Sequence, residues 1–360
     1  MPAVTPEQPK NVSSPLYEPD DPLGSPARSR IYAFEQLFSS IKNEVSKSIV
    51  GMDKELRLAI ASIFAGGHVL MEGAPGLGKT TMVKAMAAAM GLDFGRIQFT
   101  PDMLPLDITG SAMRVKHANG EVSLAFNPGP VFHNIVLADE INRAGPKTQS
   151  ALIEAMAERQ ISVDKQTHPL PSPFLVLATQ NPLEFAGTYP LPETQLDRFM
   201  IKVVVGQPSK EVLSGILRRT TGQEEPEVKS VLDPAQASGI IQSMSRLTRE
   251  VVLSQELEDK ILKLCCSLHP NHPDGEKLDI VNKQVRQGPS PRGAQSIVML
   301  SKVFALTSAR AHVALEDIQE AAPPALLHRM ILRDEALLDG SPAEIVQAAM
   351  DKVLGASTPA

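Results

Sequence analysis

Tryptophan is missing from this chain altogether, and only three tyrosines accompany eleven phenylalanines in 360 residues. Few flat side chains remain to stack on nucleobases, and a formal net charge of −6 opposes a phosphate backbone, so a general nucleic-acid binder is disfavoured. Cysteine is nearly absent. Cys265 and Cys266 are adjacent, a spacing that disfavours a mutual disulfide and provides no framework of crosslinks. Reduced, buried thiols are the plain reading. No stretch of about 18 apolar residues, the length a membrane helix needs, occurs anywhere, and the N-terminus has no apolar run of the signal-peptide kind. We read the chain as cytoplasmic, with no direct membrane insertion.

An apolar share of 42% and a charged share of 21% are ordinary for a globular protein, and the length suits one large domain and one small one. Residues 1–30 carry Pro2, Pro6, Pro9, Pro15, Pro19, Pro22 and Pro26 among Ser, Glu and Asp, which predicts a disordered tail. From Ile31 the spacing turns helical: Ile31, Phe34, Leu37, Phe38, Ile41 and Val45 recur at three and four residues. Up to about Gly206, short apolar runs then alternate with helical stretches, the rhythm of a parallel sheet covered by helices. The strands are expected at His68 to Met71, Arg96 to Phe99, Ile135 to Ala138, Phe174 to Thr179 and Met200 to Val205. After Pro208 the strand signals stop, and the pattern predicts helices at Lys210 to Arg219, Pro234 to Arg246, Gln255 to Leu268, Pro291 to Ala311 and Leu315 to Leu332. The domains are therefore expected at 31–208 and 209–360, the second helical.

The sharpest motif is Gly73-Ala74-Pro75-Gly76-Leu77-Gly78-Lys79-Thr80, between an apolar strand and the helical run Thr81 to Met90. It fits a phosphate-binding loop in spelling and in context. Glycines let backbone N–H groups turn inward around phosphates, Lys79 adds a point charge, and the Thr80 hydroxyl is placed to ligate magnesium. A second strand, Ile135 to Ala138, ends in Asp139 and Glu140, at the strand end where open α/β sheets hold ligands. There Asp139 would hold the magnesium water shell, and Glu140 would polarise the attacking water. A third strand runs into Asn181, placed either to orient that water or merely to cap a turn. Arg198, in Leu196-Asp197-Arg198-Phe199, is either a cation for a neighbouring subunit's phosphate or the partner of an internal ion pair with Asp197 or Glu193. Arg292 stands in the first turn of a helix, where a cation meets an unfavourable helix dipole. It makes sense if an anion shared with the other domain lies opposite; otherwise it is a solvated surface arginine. His269 and His272 lie near the cysteines, but Pro270, Pro273 and Asp274 suggest a loop rather than a zinc site.

With these elements in this order, the chain resembles an AAA+ ATPase from about Ile31 to its last helices. Three stretches narrow the likeness to the MoxR family: Arg96-Ile97-Gln98-Phe99-Thr100-Pro101-Asp102-Met103-Leu104-Pro105-Leu106-Asp107-Ile108-Thr109-Gly110, then Gly129-Pro130-Val131-Phe132, and Leu191-Pro192-Glu193-Thr194-Gln195-Leu196-Asp197-Arg198-Phe199. The resemblance implies an α/β fold, a five-stranded parallel P-loop NTPase αβα sandwich with a hairpin inserted in its second helix, followed by a small all-α lid domain. It places the inserted hairpin over Ala112 to Phe126, turning at Asn119-Gly120, and a second hairpin over Ile161 to Pro173. It implies ATP and Mg2+ as cofactors, with Val50 and Gly51 near the base and Gly76 to Thr81 at the phosphates. Asp139 and Glu140 then serve metal and water, Asn181 and Arg292 act as sensors, and Arg198 is the finger. It also implies hexameric rings and a partner with a von Willebrand A domain. The proline-rich tail and Gly222 to Lys229 depart from a minimal family member.

The reading that follows is an ATPase that remodels or matures partner protein complexes, with cofactor or metal insertion as one such role. A nucleotide-gated scaffold with little turnover and a magnesium-chelatase-like motor subunit are the alternatives. An intact Glu140 and Arg198 argue against the scaffold. Where threading motors display an aromatic residue, this chain has Met103 and Leu104, which weighs against vigorous unfolding of substrates.

Overall fold

The computed structural model describes residues 26–74, 76–116, 122–164, 166–181, 187–221, 227–336 and 340–355. Residues 1–25 of the tail expected over 1–30, Pro75, the turn at Asn119-Gly120 and residues 222–226 lie outside the described residues. The first helix, α1, spans Pro26–Ser46 and so begins before Ile31. Proline suits a first helical turn, and Arg30 adds a bidentate ion pair to Glu250 at 2.9 and 3.0 Å that apolar periodicity cannot reveal. The expected stripe is the buried one, and Phe34 and Phe38 pack on Phe64 of α2 (Asp53–Ala65) with ring centroids 4.9 and 6.1 Å apart.

The sequence then runs β1 (Val69–Glu72), α3 (Lys79–Met90), β2 (Phe94–Gln98), α4 (Pro105–Thr109), β3 (Gly110–Lys116), β4 (Val122–Pro128), β5 (Ile135–Asp139), α5 (Pro146–Glu158), β6 (Gln160–Val163), β7 (Gln166–Pro169), β8 (Leu175–Gln180), α6 (Glu193–Leu196) and β9 (Ile201–Val204). All five expected strands form one parallel sheet in the order β2-β5-β8-β1-β9. The inner strands β5, β8 and β1 are buried on both faces, which explains their unbroken apolar runs. Val69, Met71, Ile135, Leu137, Leu175 and Leu177 face one apolar cluster, while Leu70, Val136, Ala138, Val176 and Ala178 face the other. The period of two thus splits the core into the two layers of an αβα sandwich. β3 pairs with β4 from Gly110↔Pro128 to Lys116↔Val122, and β6 pairs with β7, so both hairpins stand where the resemblance put them. Phe126 of the first stacks on His168 of the second, ring centroids 3.9 Å apart.

The remainder is α7 (Lys210–Thr220), α8 (Pro234–Glu250), α9 (Gln255–Ser267), α10 (Asp279–Gln284), β10 (Val285–Gln287), α11 (Pro291–Thr307), α12 (Leu315–Leu326), β11 (Ile331–Leu332) and α13 (Pro342–Val353). The side chains of Ser209, Asp233, Ser254, Ser290 and Ser341 accept N-cap hydrogen bonds, so helix starts were easy to place. One expectation fails: strand pairing does not stop at Pro208, because β10 and β11 form an antiparallel ladder, and β11 falls inside the stretch Leu315 to Leu332 expected as helix. A short apolar run bears no periodicity of its own, and its pairing partner lies about 45 residues away. Of these helices, α7 reaches the end of the sheet that carries the glycine loop. α8 and α11 instead pack on α2, and α11 also on α1, adding Ile297 and Phe304 to the cluster that holds Phe34 and Phe64, which Leu326 of α12 joins.

Candidate functional site

The parallel register brings the ends of three strands level, with Glu72 of β1 opposite Gln180 of β8 and Ala138 of β5 opposite Ala178 of β8. Whatever follows each strand therefore meets at one end of the sheet. After β1 comes the glycine loop, with Gly76 at φ 80° and Gly78 at φ 81°, left-handed angles that side chains with a Cβ rarely adopt. α3 starts at Lys79, whose Nζ donates to the Gly73 carbonyl at 2.5 Å. Burial lowers the Lys79 pKa, and the charges of Asp139, Glu140 and Glu72 oppose that shift. An anion in the loop would compete for the same ammonium.

Asp139 ends β5. Its Oδ1 accepts from the Thr179 hydroxyl at 2.7 Å and its Oδ2 from Arg96 Nη2 at 2.8 Å. Glu140 follows at φ 58°, a left-handed angle held by the bond from its N–H to Thr179 Oγ1 at 2.9 Å. Its Oε2 accepts from Gln98 Nε2 at 2.7 Å and pairs with Arg143 Nε at 3.2 Å. Asn181, just past β8, is buried beside them. Gly76 to Thr81, Val50, Asp139, Glu140 and Asn181 line one cavity of about 740 Å³. Gly73 and Ala74 stand at the loop entrance, outside the lining. α7 closes the opposite wall with Ile216 and Arg219, and Arg219 Nη1 donates to the Ile49 carbonyl at 2.6 Å. Val50 and Gly51 pack directly under α7: a Cβ on Gly51 would lie 2.5 Å from Val212, and one on Gly215 would lie 2.9 Å from Val50.

Reading the residues alone missed Thr179, Arg96, Gln98 and Arg219. The polar Arg96 and Gln98 at alternate positions of one strand were the available signal, since i and i+2 share a face. Nothing local distinguishes Arg219 from any helix-end arginine.

Arg198 and Arg292 are not on this cavity. Both line a second one, of about 840 Å³, together with Arg159, Arg249 and Lys302. Arg198 is exposed, and among the described residues its guanidinium makes no ion pair with Asp197, Glu193 or any other acid. Arg292 does face an anion of the sheet-bearing part, the Asp197 carboxylate, Nη1 to Oδ2 at 3.0 Å. Ser290 Oγ at 2.7 Å and Arg329 Nε at 3.0 Å donate to the other oxygen of Asp197. Burial pushes the Asp197 carboxyl up, but bonds from Ser290 and Arg292 and the charge of Arg329 outweigh it, leaving the pKa below its ordinary value.

The donor set of the first cavity suits a hard dication. Thr80 and Asp139 supply oxygen, and magnesium is usually held by one or two protein oxygens together with substrate phosphates. His269 Nε2 donates to the Pro289 carbonyl at 3.0 Å, while His272 Nδ1 accepts from the Asp274 N–H at 3.2 Å. Burial pushes the Cys265 thiol up to about 12.

The model of the ATPase family associated with various cellular activities matches residues 68–201, and that of the AAA lid domain matches residues 278–349. YeaC of Bacillus subtilis is 40% identical over 86% of this chain and 92% of its own. The chaperone MoxR1 of Mycobacterium tuberculosis is 39% identical over 84% of this chain and 78% of its own, and MoxR of Methylorubrum extorquens is 29% identical over 81% and 86%. A crystal structure from Cytophaga hutchinsonii superposes with a TM-score of 0.80 at 36% identity, covering 91% of this chain and 97% of that one. The phosphate-loop fold, the lid and these relatives together make the chain a member of the MoxR family of AAA+ ATPases.

Proposed function

We propose that this chain binds ATP with magnesium in the cavity at the end of the sheet, hydrolyses it, and uses the energy to remodel or mature partner protein complexes. One observation supports this above the others. Lys79, Thr80, Asp139, Glu140 and Asn181, contributed by three strand ends, converge on one cavity, while Arg198 opens onto another. In this reading the loop amides and Lys79 hold the phosphates, and Thr80 and Asp139 hold the metal, which screens phosphate charge when bound. Glu140 takes up the proton side of the attacking water, and Asn181 orients that water. Arg198, without an acid partner among the described residues, serves the site of the next subunit in a hexameric ring. Arg292, held beside it by Asp197, faces the same way and reads the neighbour's nucleotide rather than its own.

The same proposal takes 31–208 as the nucleotide-binding domain and 209–360 as the lid, in keeping with the two matched family models. It also includes cytoplasmic residence, a von Willebrand A domain partner and a role in cofactor or metal insertion. Among the described residues no helix is long and apolar enough to cross a membrane. A second reading, the slow scaffold, draws on the hold of Gln98 and Arg143 on Glu140, which a water must displace.

Magnesium-dependent turnover per subunit, measured against protein concentration, separates the two. A motor built from shared sites gives a rate that rises with concentration and collapses, by about a thousandfold, in Glu140→Gln and in Arg198→Ala. A wild-type rate no higher than that of Glu140→Gln at every concentration would leave only the scaffold.

A further inference from the structure

The carboxylate assigned to the metal already holds a cation. Arg96 lies on β2, the edge strand of the sheet, and its Nη2 reaches across to Asp139 Oδ2 at 2.8 Å. The same nitrogen donates to Gln98 Oε1 at 2.6 Å. No other partner holds this half-exposed guanidinium among the described residues. The remaining Asp139 oxygen accepts the Thr179 hydroxyl, which is itself fixed by the Glu140 N–H. One oxygen is thus engaged by a fixed neutral donor and the other by an exchangeable charge.

Relative strengths decide which partner yields. An exposed guanidinium–carboxylate pair biases an equilibrium by no more than about fivefold. A dication interacts with the same carboxylate roughly twice as strongly at equal distance, and it repels the guanidinium. Magnesium also sheds water reluctantly, which weakens its claim when it arrives alone. An arginine pair of this strength can therefore handicap a bare divalent ion without resisting one that comes bound to the charge of a triphosphate.

We infer that Arg96 is a stand-in cation for the metal at Asp139: it keeps the carboxylate oriented, disfavours free divalent ions, and gives way to a metal carried by a nucleotide. Its guanidinium lines the same cavity as the glycine loop, so it need not leave the site when the carboxylate changes partner. Arg96 is in this sense a positioning residue, acting through Asp139, and the inference rests on the reading of Asp139 as the metal-facing acid. A purely structural strand-to-strand pair would leave metal affinity untouched.

The test is Mn2+ binding to the full chain, followed by electron paramagnetic resonance, without nucleotide and with a non-hydrolysable ATP analogue. Arg96→Gln and Arg96→Ala should bind Mn2+ alone about three- to fivefold more tightly than the wild type. Arg96→Lys should restore wild-type affinity, and the analogue should erase the advantage. Unchanged or weaker Mn2+ binding in both the Gln and Ala variants overturns the role of Arg96 while leaving Asp139 its metal. Asp139→Asn binding Mn2+ with the analogue as tightly as the wild type removes the metal reading itself, and the inference with it.

Discussion

Asp197 joins the two parts of the molecule through one side chain. Its carboxylate receives Ser290, Arg292 and Arg329, and Arg329 also donates to the carbonyls of Ala325, Asp197, Phe199 and Met200. The Arg329 side chain is 2% exposed, so losing its counter-charge would leave a buried cation unpaired. Asp197→Ala should therefore lower stability by about 3 kcal/mol, read from urea unfolding at pH 7. The pH dependence follows from the depressed pKa. An acid whose folded pKa lies below its unfolded value of about 3.9 stabilises the fold above that value and loses the contribution as pH falls through the folded one. Asp197→Asn should accordingly flatten the acid limb below about pH 4; an acid limb identical to the wild type would show that the charge of Asp197 does not contribute. At this scale Lys79, Asp139 and Glu140 were legible because each is covalently attached to a strand end. Thr179, Arg96 and Arg329 were not, because 40 residues or more separate each from its acid and only folding makes them neighbours.

Among the elements, the β3–β4 hairpin depends most on its glycines. Gly110 has φ 87°, and a Cβ there would meet Asn127 O at 2.3 Å and Gly129 N at 2.5 Å. Gly110→Ala should loosen the hairpin alone, so limited proteolysis should accelerate between residues 110 and 128. ATP affinity should hold within about twofold, since surface elements away from a site rarely alter it further. A large loss of affinity would mean that the hairpin and the nucleotide site are mechanically joined. Met113, Val115, Val122 and Leu124 leave this hairpin with exposed apolar side chains, unlike the inner sheet strands β1, β5 and β8, whose runs are buried on both faces. That contrast is why the five sheet strands could be read from hydropathy and the hairpins only from resemblance. The β10–β11 ladder could be read from neither, being short and joined across two helices.

For the whole molecule, the separation of Arg198 from the cavity that holds Glu140 leads to an experiment on mixtures. Equimolar Glu140→Gln and Arg198→Ala chains should give more turnover than the sum of the two alone, because some shared sites then combine an intact Glu140 with an intact arginine from the next subunit. Turnover equal to that sum would reject a site completed in trans. The amino-acid order was enough to establish the parallel sheet, the phosphate loop and the acids after β5, because each is a local pattern of hydropathy and glycine placed next to chemistry. It did not establish that α8 and α11 pack on α1 and α2, that Arg292 answers to Asp197, or that Arg96 holds Asp139. Those are contacts between segments far apart in the chain, selected by the shared burial of apolar faces and by strand register, and neither is written in the residues immediately around them.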